Sequence, residues 1–334
     1  MLKWLPIVFS LLVCTACVEQ IQTADASLNT KNIRIRDPYI YTDANTKTYY
    51  MYAASVNRRN SGVTGVKAYT SKDLINWTAP QTVISLPSDM KVKSVWAPEV
   101  HEFKGAYYLF VTLTLDETLS EEKPVANKKW REMQVRGTHI FRADSLLGPF
   151  EQLTTNSHTP PDWMALDGTL LVEDGSPYMV FCHEWIQVID GTMDVIQLKD
   201  DFSGTIGTPE VLFKASSAPG ANTDPEQGKV TDGCFFYRSA TSGKLFMIWS
   251  TSIPDSGYSV VLTESQSGKV RGPWINHKLL YKKNGGHGMI FRSFDERLLL
   301  ALHHPNSGGT ERLHLFELTD NGDTLEIKEE ITLE

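Results

Sequence analysis

Three aspartates and a histidine, far apart in the chain, each stand where a strand-like run begins. They are Asp37 in Arg36-Asp37-Pro38-Tyr39-Ile40, Asp167 in Leu166-Asp167-Gly168-Thr169-Leu170, Asp232 in Thr231-Asp232-Gly233-Cys234-Phe235, and His287 in Gly286-His287-Gly288-Met289-Ile290. A further carboxylate, Glu184, follows the apolar run Pro177-Tyr178-Met179-Val180-Phe181 in Phe181-Cys182-His183-Glu184-Trp185. Carboxyls and imidazoles move protons, and two carboxyls held at different pKa values make an acid–base pair. They act together only if the fold brings them to one place.

Strands are the elements that must do so. After residue 31 no window sustains apolar residues at helical spacing for three turns, whereas runs rich in aromatic and branched residues recur. Examples are Ala106-Tyr107-Tyr108-Leu109-Phe110-Val111 and Lys244-Leu245-Phe246-Met247-Ile248-Trp249. Each run follows a turn and, upstream of it, a strand opening. With Trp96-Ala97-Pro98-Glu99-Val100-His101 included there are five openings, at Asp37, Trp96, Asp167, Asp232 and His287, spaced about 55 to 71 residues apart. Turn-and-strand pieces such as Ser71 to Trp77, Leu147-Gly148-Pro149-Phe150 and Arg271-Gly272-Pro273-Trp274 close several units. Five four-stranded units of this length predict an all-β, five-bladed β-propeller. Its innermost strands start near the axis, so the polar openings converge on one funnel. A carboxylate there costs several kcal/mol in desolvation unless it is solvated, paired or functional.

These pieces, in this order over nearly the whole chain from about Ile33 to Glu317, resemble glycoside hydrolase family 43. The resemblance implies an inverting, single-displacement hydrolase that removes α-L-arabinofuranosyl, β-xylosyl or β-galactofuranosyl units from plant-type polysaccharides. It also implies roles: Asp37 as general base and Asp167 as the modulator of the acid's pKa. An inverting glycosidase holds its two carboxyls roughly 6.5–9.5 Å apart, with water beside the base. A third carboxylate near the acid keeps it protonated by like-charge repulsion. Where the family carries a Glu before Gly in blade four, this chain has Asp232-Gly233, one methylene shorter. The acid is therefore Asp232 with a shifted backbone or Glu184 from blade three. A chain that has lost its acid is the rival: a non-catalytic, glycan-binding propeller lipoprotein. His287 resembles the family histidine on the axis that holds water or a calcium ion, and no redox cofactor is required. Trp96, Trp163 and Trp185 are candidates to stack on sugars, Arg292 to contact their hydroxyls, and Glu99 and His101 to line the rim. His303-His304-Pro305 shows no acidic partner nearby in sequence, so zinc is not expected there.

The remaining features bound the setting. Met1-Leu2-Lys3 and the apolar run Leu5 to Val13, ending Cys14-Thr15-Ala16-Cys17, read as a lipoprotein-type signal peptide over 1–17. Residues 18–31 read as a tether and 32–334 as the propeller. The expected place is a bacterial cell envelope, through a lipid on Cys17, or the medium after secretion. The apolar run is too short to span a bilayer. A formal charge of −8 without basic runs excludes nucleic acid as a partner. Cys182 and Cys234 could pair or remain buried thiols, and nothing in the Cys/His spacing suggests zinc. The segment Leu115 to Met133 is expected to be a long loop able to close one end of the site.

Overall fold

In the computed structural model of the chain, residues 27–55, 65–86, 88–119 and 133–333 are described. The expected signal peptide, including Cys17, and most of the expected tether lie outside them. Five antiparallel sheets follow one another along the chain, and their innermost strands contact one another in a closed ring. These are Tyr39–Asp43, Val92–Phe103, Ala165–Glu173, Asp232–Arg238 and Gly286–Arg292. The expected five-bladed propeller is what the chain forms. Among the described residues the only α-helix is the four-residue Trp185–Val188.

Apolar side chains fill the gaps between neighbouring blades rather than one central core. Blades three and four meet over Val180, Cys182, Val195, Met247 and Trp249, and blades two and three over Phe110, Ile140, Phe181 and Phe202. Both faces of each blade are covered in this way, which is why the strands read as continuous apolar runs. Cys182 and Cys234 are buried free thiols in the blade-three to blade-four contact.

The ring is closed by the segment before blade one. Leu28–Asn29 pairs with Asn76–Trp77, and the fully buried Trp77 indole donates to the Thr30 hydroxyl at 2.8 Å. Beyond it Arg34 Nε meets the Glu311 carboxylate at 2.8 Å and Arg312 Nε donates to the Lys31 carbonyl at 2.8 Å. Blade one is thereby tied to blade five. The Ser71–Trp77 piece does turn as its composition suggests: Asp73 Oδ1 accepts from the amides of Ile75 and Asn76 at 2.9 and 2.7 Å.

Each blade opens with one residue of positive φ: Asp37 (49°), Ala97 (43°), Asp167 (55°), Gly233 (43°) and His287 (51°). In blades two to five that residue sits inside a β-bulge of the innermost pair. A bulge with a left-handed residue re-aims the side chains around it. The fivefold equivalents are thus Ala97 and Gly233, not Trp96 and Asp232, which stand one residue earlier. The difference matters because a one-residue offset sends a side chain to the other face of its strand. Asp232 therefore reaches the axis from a different side than Asp37, Asp167 and His287 do.

The expected loop from Leu115 to Met133 is in part strand. Ala106–Thr118 continues through Leu115, and Thr118 pairs with Gln134. Alternating Thr and Leu from Thr112 to Leu115 sustain the strand period, which the polar composition further on obscured. Residues 120–132 lie outside the described ones.

One buried carboxyl in the fold has no catalytic place. Asp194 is fully buried on the strand Thr192–Leu198, on the same side as the core residue Ile196. Thr192 donates to one of its oxygens, and the other has no hydrogen-bond partner. Burial pushes its carboxyl up to about 6, with Thr192 opposing. An unfolded Asp titrates near about 3.9, so the buried proton stabilises the fold below that pH, and the contribution is lost as pH rises through about 6. Asp194→Asn cannot ionise. Its advantage over the parent in thermal melts is expected to be small near about pH 4 and to reach about 3 kcal/mol above about pH 7. Equal stability of the two proteins above about pH 7 would contradict it.

Candidate active site

At the end of the axis where the innermost strands begin, three carboxylates surround one imidazole. His287 Nδ1 lies 3.4 Å from Asp37 Oδ1, 3.6 Å from Asp232 Oδ1 and 3.8 Å from Asp167 Oδ2. The expected convergence of Asp37, Asp167, Asp232 and His287 is met. Asp37 and Asp232 thus face each other across the His287 ring.

Asp167 is held from three directions. Its amide donates to the Thr112 hydroxyl at 2.8 Å, that hydroxyl lies 3.4 Å from Oδ1, and the Gly233 amide donates to Oδ2 at 3.2 Å. Burial pushes its carboxyl well above the usual range, and the Asp232 charge beside it adds to the rise. Asp232 is more open, 26% exposed, and Tyr258 donates its hydroxyl to Oδ2 at 2.6 Å. Burial pushes Asp232 upward, but hydrogen bonds from Asp167, His287 and Tyr258 outweigh it and hold the carboxyl low. The two aspartates thus keep one proton between them. Burial alone would strip His287 of its charge, yet Asp37, Asp167 and Asp232 together raise it well above the ordinary imidazole value. The centre stores one transferable proton and keeps a positive charge on the axis.

Glycine is required at one point of this arrangement. Gly233 has positive φ, and a Cβ there would lie 2.6 Å from the His287 ring. Gly233→Ala is expected to displace His287, costing about 1–3 kcal/mol in thermal stability and at least tenfold in any activity of the site. A variant with parental melting and rates would show that the close approach is not needed.

Glu184 lies apart from this cluster in its chemistry. Strand pairing ends at His183, and Glu184 instead caps the short helix Trp185–Val188. Its carboxylate forms a buried ion pair with Arg136 Nη1, while Arg136 Nε donates to Thr114 Oγ1 at 2.8 Å. The guanidinium stacks on the Trp96 ring, 4.2 Å from its centroid. Burial raises the Glu184 carboxyl, and the Arg136 charge opposes that rise. The apolar run before Glu184 accords with its burial; the cation comes from a strand of blade two, which local sequence does not reveal.

The remaining candidates separate by position. Trp96 and Trp185 stand at the same end as the cluster; Trp185 packs tightly over Gly228. Trp163 is occupied by protein, stacked on His183 at 4.0 Å. Arg292 is a correction: it ends the strand that His287 opens, about 16 Å away at the rise of a strand. It lies at the opposite mouth, in a cavity with Tyr41 and Phe294. Glu99 and His101 are also not at the rim. Glu99 is buried, and its Oε2 accepts from Thr169 at 2.7 Å and lies 3.0 Å from His101. Both follow the bulge at Ala97, which turns them into the interior. Arg136, Tyr258 and His303 are site residues that sequence reasoning missed: Tyr258 and His303 reach the cluster, and Arg136 reaches Glu184, each from a second or third strand. The acidic neighbour that His303 lacks in sequence is Asp37, 3.3 Å away across the blade boundary.

Asp167, Asp232 and His287 also offer ligand atoms within 4.8 Å of one another, close enough to hold a metal ion. The carboxylates suit a hard cation such as calcium, the imidazole does not, and most of its six to eight positions would fall to water.

A five-bladed propeller that gathers acid–base carboxylates at one end of its axis is the architecture of a carboxylate-dependent glycoside hydrolase. The chain belongs to glycosyl hydrolases family 43, whose profile matches residues 30–322. The crystal structure of an endo-arabinase from Bacteroides thetaiotaomicron VPI-5482 is similar, with a TM-score of 0.73 and 36% identity over 88% of this chain and 97% of that one. Among curated sequences, the extracellular exo-alpha-(1->5)-L-arabinofuranosidase ArbA of Cellvibrio japonicus (strain Ueda107) is 21% identical, covering 89% of this chain and 83% of its own. A probable arabinan endo-1,5-alpha-L-arabinosidase C of Aspergillus niger (strain ATCC MYA-4892 / CBS 513.88 / FGSC A1513) is 23% identical, over 86% and 82%.

Proposed function

We propose that this glycoside hydrolase cleaves α-L-arabinofuranosyl linkages of arabinan-type polysaccharide with inversion. The observation that carries the mechanism is the meeting of Asp37, Asp167 and Asp232 on one imidazole, which brings one carboxylate and a proton-holding pair to the same place. The sugar preference rests on the arabinan-directed names of the similar proteins.

In this reading Asp37 takes a proton from water as the water oxygen bonds to the anomeric carbon. The bond from that carbon to the leaving oxygen breaks, and the leaving oxygen receives the proton shared by Asp167 and Asp232. Asp167, raised by burial, holds that proton at rest, and Asp232, the more exposed of the two, faces the sugar and passes it on. Asp167 orients it and supplies the repulsion that keeps the proton in the pair. His287 stabilises the carboxylates that remain. Calcium, if held by Asp167, Asp232 and His287, would supply positive charge at the same point.

The test is to incubate the protein with linear α-(1→5)-arabinan, xylan and galactan fragments and to follow the first-formed anomer by NMR. Release from arabinan with the anomeric configuration inverted supports the reading. Retained configuration would remove the mechanism, and turnover only of xylan or galactan would remove the sugar assignment. Binding without turnover of any of them would favour a glycan-binding protein.

A further inference from the structure

We propose that His303 is the positioning residue of Asp37: a neutral imidazole, protonated on Nε2, whose bare Nδ1 accepts the Asp37 amide and sets the carboxylate's direction. The inference rests on the reading of Asp37 as the base, and its first observation is backbone geometry. Asp37 adopts φ 49°, and ladder pairing of its blade begins only at Tyr39 opposite Tyr52. Its amide therefore has no strand partner, and it donates instead to His303 Nδ1 at 3.2 Å. A left-handed aspartate costs on the order of 1 kcal/mol and persists only where its surroundings hold it.

The tautomer follows from the partners on both sides of the ring. Arg36 donates to Asn306 through Nη1 to the backbone carbonyl and through Nη2 to Oδ1 at 3.2 Å. A guanidinium can only donate, so that side-chain atom of Asn306 is the acceptor. His303 Nε2, 3.2 Å from the same oxygen, must then carry a proton. On the other side a backbone amide can only donate, so Nδ1 must be bare. The two assignments agree on one neutral form. The ring is 0% exposed, and burial, together with Arg36 and His287, outweighs the pull of Asp37 and holds it below the ordinary imidazole value.

A bare Nδ1 also acts on the carboxylate itself. Asp37 Oδ1 lies 3.3 Å from His303 Nδ1 and 3.4 Å from His287 Nδ1. One nitrogen presents a lone pair and the other a positive charge, so the first repels that oxygen and the second attracts it, and the carboxylate is held between the two rings. Tyr258 completes the layer: its ring stacks on His303 with centroids 5.8 Å apart, while its hydroxyl holds Asp232. That stack depends on Gly286, where a Cβ would lie 2.6 Å from the Tyr258 ring.

Two measurements on the full chain test the proposal. In ¹⁵N imidazole spectra, with His303 assigned by difference against His303→Asn, the ring is expected neutral with its proton on Nε2. A proton on Nδ1 or a charged ring at neutral pH would overturn the assignment, whatever the enzyme turns over. In kinetics on arabinan oligosaccharides, His303→Ala is expected to lose about 10- to 100-fold in kcat with KM changed less than about threefold, the scale of a small misplacement of a reacting group. His303→Asn offers an oxygen near the place of Nδ1 and is expected to recover most of that loss. Parental kcat in a folded His303→Ala, a loss seen in KM instead, or no rescue by a folded His303→Asn would each overturn the positioning role. Asp37→Asn is run alongside: if it stays active, the base assignment has failed, while the spectra still decide the tautomer.

Discussion

Asp37→Asn is expected to lower kcat/KM on arabinan oligosaccharides by about 10³- to 10⁴-fold, with melting temperature unchanged or slightly raised. General-base catalysis contributes about 10²- to 10⁴-fold, and Asp37 is the carboxylate that stands between the His287 and His303 rings, apart from the Asp167–Asp232 pair. Asn tolerates the left-handed backbone that Asp37 adopts, so folding should survive. With one proton held by the Asp167–Asp232 pair, two negative charges face the His287 cation, and the one left after the substitution still balances it, which is why stability is not expected to fall. Loss of rate with an intact melt is the result that marks a chemical role. A variant within about tenfold of the parent would mean that another group activates water.

Asp232→Asn and Glu184→Gln are expected to fail in different ways, and the contrast names the acid. Without Asp232 the leaving oxygen has no donor, so turnover of natural oligosaccharides should drop by about 10²- to 10⁴-fold. Substrates with an acidic aryl leaving group need little protonation and should lose far less. Glu184→Gln instead leaves the buried Arg136 charge without its counter-ion. Breaking a buried pair from one side costs about 3–5 kcal/mol, so its signature is a lower melting temperature, with rates on aryl and natural substrates falling together or not at all. If Glu184→Gln showed the leaving-group dependence and Asp232→Asn did not, the two roles would have to be exchanged. Because Asp167 is pushed up by burial and by Asp232, the pair keeps its proton to higher pH, and activity is lost as pH rises through that value. The alkaline limb of the rate profile belongs to the pair.

Much of this protein can be read before any contact is known. The recurrence of opening, turn and aromatic strand determines five blades, because a strand period of two and a repeat of fixed length survive in the linear order of residues. The same recurrence places Asp37, Asp167, Asp232 and His287 at one end of the axis, since equivalent positions in a radial repeat must converge. Departures from that order are where tertiary structure decided. A single left-handed residue in each bulge moved the fivefold position from Trp96 to Ala97 and from Asp232 to Gly233, an offset of one residue that composition cannot register. Arg292 shares its strand with His287, but a strand runs away from its first residue by about 3.3 Å per step and so carries Arg292 to the opposite mouth. The partners of the site were the least legible. Arg136 meets Glu184, His303 meets Asp37 and Tyr258 meets Asp232 across different strands and blades. Sequence determines which groups can carry protons. Only packing determines which charge stands beside each of them, and at separations of three to four ångströms that neighbour sets both pKa and direction.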